Sequence, residues 1–380
     1  MLADPILMTP GPTQVEAEVL LEAARPVVNH VSDQFDSLHR ETLEMLNKVF
    51  NSAASILIPG SGTAAMELAL RSVVKPGSRY LVLKTGYFGS YLEEGVRLLG
   101  GEPVTVEAGL GEGFDGSSVS RLLDEHAVDA VLLQHVDTST GVANKLEEIA
   151  RAARDRGVVV VVDAVASAGG MRIDVDGWGI DVVFTGSQKA LSTPPGLGIV
   201  AYSSSYVEEL SRRARSSLYF NIPRLLREME STKNYYITPA VNMVRALNRS
   251  LKIILEEGDY RYRRHEVLAR AVQRGVEAMG LNIVAGREWR SNTVTTIYLP
   301  EGVEWRSLYM EARRLGVELA GGLGSLKGRV FRIGHMGQAS SGDIIATLAV
   351  VERALYRLGY SIELGTGLRE VQKVLAGEDL

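Results

Sequence analysis

The stretch Val158-Val159-Val160-Val161-Val162-Asp163-Ala164-Val165-Ala166-Ser167 decides the fold. Its valines show neither the 3.6-residue period of an amphipathic helix nor the alternation of a half-exposed strand. A short continuous apolar run reads as a strand buried on both faces, as in a parallel sheet covered by helices. Outward from it, similar runs recur at Ser55–Pro59, Tyr80–Lys84, Pro103–Glu107, Ala130–Val136, Asp181–Thr185 and Gly198–Tyr202. Turn signals and helix-like stretches separate them. In Leu146–Arg156, for example, Leu146, Ile149, Ala150 and Ala153 share one helical face. The pattern predicts an α/β large domain over residues 15–257 with a mainly parallel seven-stranded sheet, preceded by an N-terminal arm, residues 1–14.

After about Ser205 the character changes. Tyr206–Arg215 and Asn242–Glu257 read as helices flanking a polar, aromatic stretch, Ser216–Pro239. From Gly258 a charged helix leads to strand-like Thr293–Leu299, a helix at Trp305–Leu315, strand-like Arg329–Gly334 and a last long helix, Ile344–Leu358. That order predicts a smaller α+β C-terminal domain, residues 258–380.

Composition narrows the function. With 380 residues, 46% hydrophobic, the chain is long enough for a sizeable core. A net charge of −5 without a basic block argues against nucleic acid. No apolar run approaches a membrane span, and Met1–Pro5 has no signal-peptide character, so a cytoplasmic location is expected. The absence of cysteine excludes disulfides, thiolate metal sites and a cysteine nucleophile, and no metal site is expected.

Three segments carry candidate chemistry. Pro59-Gly60-Ser61-Gly62-Thr63-Ala64 lies between an apolar strand and the helix Ala64–Val74, where small residues and free N–H groups suit an anion. A Gly-Ser turn that merely caps a helix has the same sequence. Asp163 ends a buried strand, where open α/β sheets bind ligands, or else caps a helix. Lys189, in Gly186-Ser187-Gln188-Lys189-Ala190-Leu191, follows another apolar strand and suits imine chemistry; an exposed loop lysine is the alternative. Together they supply the three contacts pyridoxal 5'-phosphate needs: a phosphate loop, an acid for the ring nitrogen and a lysine for the aldehyde.

On these segments the chain resembles the class V pyridoxal-phosphate-dependent aminotransferases of fold type I, near the alanine–glyoxylate / serine–pyruvate aminotransferase family. The resemblance extends through Thr9-Pro10-Gly11-Pro12, Gly86-Tyr87-Phe88-Gly89, His135-Val136-Asp137-Thr138-Ser139-Thr140-Gly141, Tyr235-Tyr236-Ile237-Thr238-Pro239 and Phe331-Arg332-Ile333-Gly334. It implies that Lys189 is the catalytic lysine and that Asp163 keeps the pyridine nitrogen protonated. It further implies that Phe88 and Val165 cover the two ring faces and that Thr138 bonds the ring hydroxyl region. Ser61, Gly62, Thr63 and Gln188 hold the phosphate in this reading, with Tyr235 and Thr238 reaching it from a second subunit of a homodimer. Arg332 grips the substrate carboxylate, with Gly11 beside the substrate. Tyr236 adjoins Tyr235 and competes for its role, and His135 is either a cofactor contact or structural.

The chain departs from the family pattern at three places. Val31 follows His30 where many relatives carry arginine, Asp137 stands where Glu is frequent, and Phe88 replaces Trp. The expected reaction is ping-pong transamination from alanine or serine to glyoxylate or pyruvate. An aminoethylphosphonate–pyruvate aminotransferase and a non-catalytic scaffold are the alternatives. A cysteine desulfurase is excluded for lack of cysteine, and the Gly60 loop lacks the third glycine of a dinucleotide fingerprint.

Overall fold

Successive valines of the decisive stretch are buried in two separate apolar layers. Val160 and Val162 pack with Leu146, Ile149 and Leu247, whereas Val161 packs with Leu68, Leu132 and Val182 on the opposite face. The structure is a computed structural model and describes residues 4–210 and 217–378. Its main sheet has seven strands: β1 (Ala54–Pro59), β2 (Arg79–Lys84), β3 (Glu102–Glu107), β4 (Ala130–Gln134), β5 (Val159–Asp163), β6 (Val182–Gly186) and β7 (Leu197–Tyr202). Their spatial order is β1-β7-β6-β5-β4-β2-β3. Strand β7 runs antiparallel to both neighbours and all other pairings are parallel. This is the expected α/β architecture, with helices on both faces.

The C-terminal region has its own apolar cluster, including Leu268, Val272, Ile297, Phe331 and Leu348. There β8 (Val294–Tyr298), β9 (Ala320–Gly321) and β10 (Val330–Gly334) form an antiparallel sheet of order β8-β10-β9. No described helix is long and apolar enough to cross a membrane.

Several boundaries differ from the sequence reading. The run Ala130–Val136 breaks at Gln134, because Val136–Asp137 turns aside to pair with Val142–Ala143. The polar, aromatic stretch Ser216–Pro239 contains a helix, Ile222–Glu230, with Asn221 accepting from the Arg224 N–H and Pro223 in its first turn. The helix expected over Tyr206–Arg215 is described only as Ser204–Leu210, and its remainder lies outside the described residues. Nor is Ile344–Leu358 the last helix: Thr366–Ala376 follows it and packs on Asp259–Ala278.

Two devices fasten the parts together. Ile6–Leu7 pairs with Val317–Glu318, and the Gly334 N–H donates to Met8 O at 2.8 Å. The same arm then reaches the lysine loop, where Thr13 Oγ1 donates to Lys189 O at 2.8 Å. Behind that loop Arg261 is wholly buried, donating to Gly169 O, Ala190 O and the Glu257 carboxylate. Removing Glu257 leaves this guanidinium without its counter-charge, which in a buried pair costs about 3 kcal/mol. Glu257→Ala is therefore expected to lower stability in urea by about that amount. Glu256→Ala, at an exposed neighbouring position, is expected to change it by less than about 0.5 kcal/mol.

Candidate active site

The carboxyl ends of β1, β5 and β6 meet at a cavity of about 280 Å³. At one end the helix Gly62–Val73 begins without any side-chain cap, which leaves its first N–H groups free for an anion. The backbone is crowded there. A Cβ on Gly62 would stand 3.0 Å from Val165 Cγ2, and one on Gly186 would stand 2.7 Å from Gln188 Oε1. Gln188 Oε1 is itself buried with no partner. Ser61, Thr63 and Gln188 line this end, so the donors and the small residues of a phosphate cradle are present together.

Asp163 lies deeper, its Oδ1 accepting from the Val165 N–H at 2.9 Å. Burial pushes its pKa up to about 7; Asp137's charge adds to this, while the Val165 N–H and Lys189 oppose it. Lys189 lines the same cavity, and its Nζ donates to Pro10 O. Burial lowers its pKa to about 8, Arg332 contributes in the same direction, and Asp163 opposes. Gly11, at φ +111°, lies so close that a Cβ would overlap the lysine side chain. Phe88, Val165 and Thr138 complete the expected set within the cavity wall.

Arg332 stands outside that wall but adjoins it. It is buried, and it donates from Nε to Gly321 O at 2.7 Å and from Nη1 to Thr138 O at 3.2 Å. Among the described residues no carboxylate forms an ion pair with it. Burial lowers its pKa to about 10 and the nearby charge of Asp137 offsets only part of that, so the guanidinium is open to a further anionic partner. Tyr235 and Thr238 do not line their own chain's cavity; Tyr235 is exposed and stands edge-on to His30 at 4.1 Å.

His135 does not contact the cavity. It lines an open groove on another side, with Nδ1 unpartnered and a pKa lowered by burial to about 4. Asp137 was legible only as a departure from the pattern, yet it organises the region. Its buried carboxylate accepts from Phe88 N at 2.9 Å, Ser139 N at 2.8 Å and Ser139 Oγ at 2.6 Å, tying the Phe88 turn to the Thr138 turn. Tyr91 also lines the cavity, and its place three residues after Phe88, on the same helical face, could have marked it.

A doubly covered sheet with a phosphate cradle, a strand-end acid and a buried lysine defines a fold type I pyridoxal-phosphate enzyme, and the donor set fits that cofactor. The aminotransferase class-V family model matches residues 13–333, and the chain belongs to that family. It is 37% identical over 98% of both chains to an uncharacterized aminotransferase of Methanocaldococcus jannaschii. It is 31% identical to serine–glyoxylate aminotransferase of Arabidopsis thaliana, over 95% of this chain and 93% of that one. The ureidoglycine–glyoxylate aminotransferase structure from Bacillus subtilis superposes with a TM-score of 0.94 at 30% identity, covering 99% of each chain. The protein is thus a pyridoxal-phosphate-dependent aminotransferase, acting on amino acids and 2-oxo acids.

The buried acid has a thermodynamic signature in the cofactor-free protein. A carboxyl group whose folded pKa lies above its unfolded value favours folding while protonated and loses that contribution as pH rises, here from about 4 to about 7. Cofactor-free Asp163→Asn is expected to match wild type near pH 4 and to exceed it by on the order of 4 kcal/mol at pH 8. Urea denaturation across that range measures the difference.

Proposed function

We propose that the enzyme moves an amino group from a small monocarboxylic amino acid, alanine or serine, to glyoxylate or pyruvate by a ping-pong mechanism. The observation that carries this reading is the single unpaired Arg332 beside a cavity whose wall, among the described residues, holds no cation other than Lys189. One guanidinium grips one carboxylate through two parallel hydrogen bonds, and a second acid group on the donor would meet no cation.

Pyridoxal phosphate, when bound, supplies the aldehyde carbon that receives the amino group and a ring that spreads the charge left at the substrate Cα. Lys189 Nζ holds the cofactor and then carries the Cα proton; its lowered pKa leaves part of the amine neutral near pH 8, as a base requires. Asp163 keeps a proton on the ring nitrogen. Ser61, Gly62, Thr63 and Gln188 hold the phosphate, Phe88 and Val165 fix the ring plane, and Thr138 bonds its hydroxyl edge. Gly11 keeps the arm close without obstructing Lys189.

Tyr235 and Thr238 act in this proposal across a homodimer interface, completing the phosphate site of the partner. Their absence from their own cavity and the exposure of Tyr235 support that assignment. The division into arm, large domain and small domain at residues 14/15 and 257/258 belongs to the same reading, as does a cytoplasmic location, which fractionation of source cells would test.

The visible absorption of the reconstituted protein tests the reading. Alanine or serine is expected to bleach the band, and glyoxylate or pyruvate to restore it. Faster bleaching by aminoethylphosphonate would make that the donor; absence of any band would leave a non-catalytic scaffold. Lys189→Ala is expected to lose roughly 10²–10⁴-fold in turnover or more. Arg332→Lys is expected to lower kcat/KM by about 10–100-fold, chiefly through KM, because one pair of charge-assisted bonds is lost. In sedimentation the wild type is expected as a dimer, and mixing Lys189→Ala with Tyr235→Ala chains is expected to restore one intact site per mixed dimer.

A further inference from the structure

Gln134, the last residue of β4, is fully buried, yet neither Oε1 nor Nε2 has a hydrogen-bond partner. A buried amide left unpaired is costly, and an apolar side chain like the preceding Leu132 and Leu133 would avoid that cost. The main chain around it is fixed, since Gln134 O accepts from Asn144 Nδ2 at 2.7 Å. The sheet register sets Gln134 directly opposite Asp163. Residues paired across two strands project from the same face, so the amide and the carboxylate are neighbours. On its other side Asp163 is paired with Phe184, which offers no donor.

Two charged groups nearby are already engaged. Lys84, near the end of the adjoining strand, is within 3.6 Å of Glu93 and 3.7 Å of Glu107. Asp137 is saturated by the amides of the Phe88 and Ser139 turns. Asp163 has one oxygen on the Val165 N–H and is the open acceptor in the row. Glutamine is one methylene longer than aspartate, which gives its amide the reach.

We propose that Gln134 is a positioning residue for Asp163. Its Nε2–H donates to the carboxylate when the cofactor ring fills the cavity, holding the acid ionised and turned toward the ring nitrogen. The charges facing Asp163 are Asp137, which disfavours ionisation, and Lys189, which favours it; Gln134 adds a neutral donor to the second side. This inference rests on the proposed pairing of Asp163 with the ring nitrogen.

The experiment compares wild type, Gln134→Met and Asp163→Asn. Three quantities are read: affinity of the cofactor-free protein for pyridoxal phosphate, the ¹⁵N signal of ring-labelled cofactor, and the urea midpoint without cofactor. Gln134→Met is expected to weaken cofactor binding roughly tenfold and to move the ring-nitrogen signal toward the unprotonated value, while leaving the urea midpoint unchanged or higher. An orphan amide without a role would instead yield a more stable protein with unchanged affinity and signal, and that outcome overturns the proposal. If Asp163→Asn also leaves the nitrogen signal unmoved, the assignment of Asp163 has failed. If Asp163→Asn moves it and Gln134→Met does not, the inference about Gln134 fails alone. Gln134→Leu takes the same measurements should the methionine variant not fold.

Discussion

Two opposite charges share one buried cavity, and much of the surrounding architecture answers to them. Asp163 ends β5 and Lys189 follows the end of β6, so neighbouring parallel strands deliver an acid and an amine to the same place. Burial drives both toward neutrality, and their mutual attraction offsets only part of that cost. The uncapped helix start and the unpaired Arg332 add two unsatisfied demands for negative charge. A ligand bearing a phosphate, a protonated ring nitrogen and a carboxylate-bearing substrate meets each demand, and the cavity is matched to that assembly before it arrives.

Such a site works only if its lysine loop stays still. Three successive carbonyls of that loop are each taken by a different element. Lys189 O accepts from Thr13 of the N-terminal arm, Ala190 O from Arg261, and Leu191 O from Ser250 at 2.5 Å. The loop is thus clamped by the arm in front and by two long helices behind. Arg264 extends the clamp into the C-terminal region through Gly337 O at 3.1 Å and Ala339 O at 2.8 Å. The residues proposed for substrate recognition, Arg332, and for the chemistry, Lys189, therefore rest on one connected frame, since the arm that covers the lysine also bonds Gly334, two residues from the arginine.

Much of this was legible in the sequence because buried strands write themselves as apolar runs, and their ends mark where ligands bind. Nine of the expected site residues, from Ser61 to Lys189, line the cavity for that reason. The less legible features depend on partners distant in sequence. Nothing around Arg261 distinguishes a fully buried guanidinium from the surface arginines of the same charged helix, because its acceptors lie on Gly169 and Ala190. His135 lines a different groove, and the chain turns after Gln134 into the Val136–Ala143 hairpin, a break that continuous hydrophobicity conceals. The helix Ile222–Glu230 was hidden by a polar, aromatic composition, although Asn221 and Pro223 supply start signals.

The reversal of β7 has a consequence for how the molecule is made. Strand β1 lies at the sheet edge and bonds only to β7, and the Gly60 N–H at its end donates to Gly196 O at 2.9 Å. On a growing chain, β1 and the glycine loop after it emerge early but find no sheet partner until Tyr202 has left the ribosome. Until then an apolar edge remains open to other chains. The loop proposed to hold the phosphate is therefore translated early and closed late, and its exposed interval falls during synthesis.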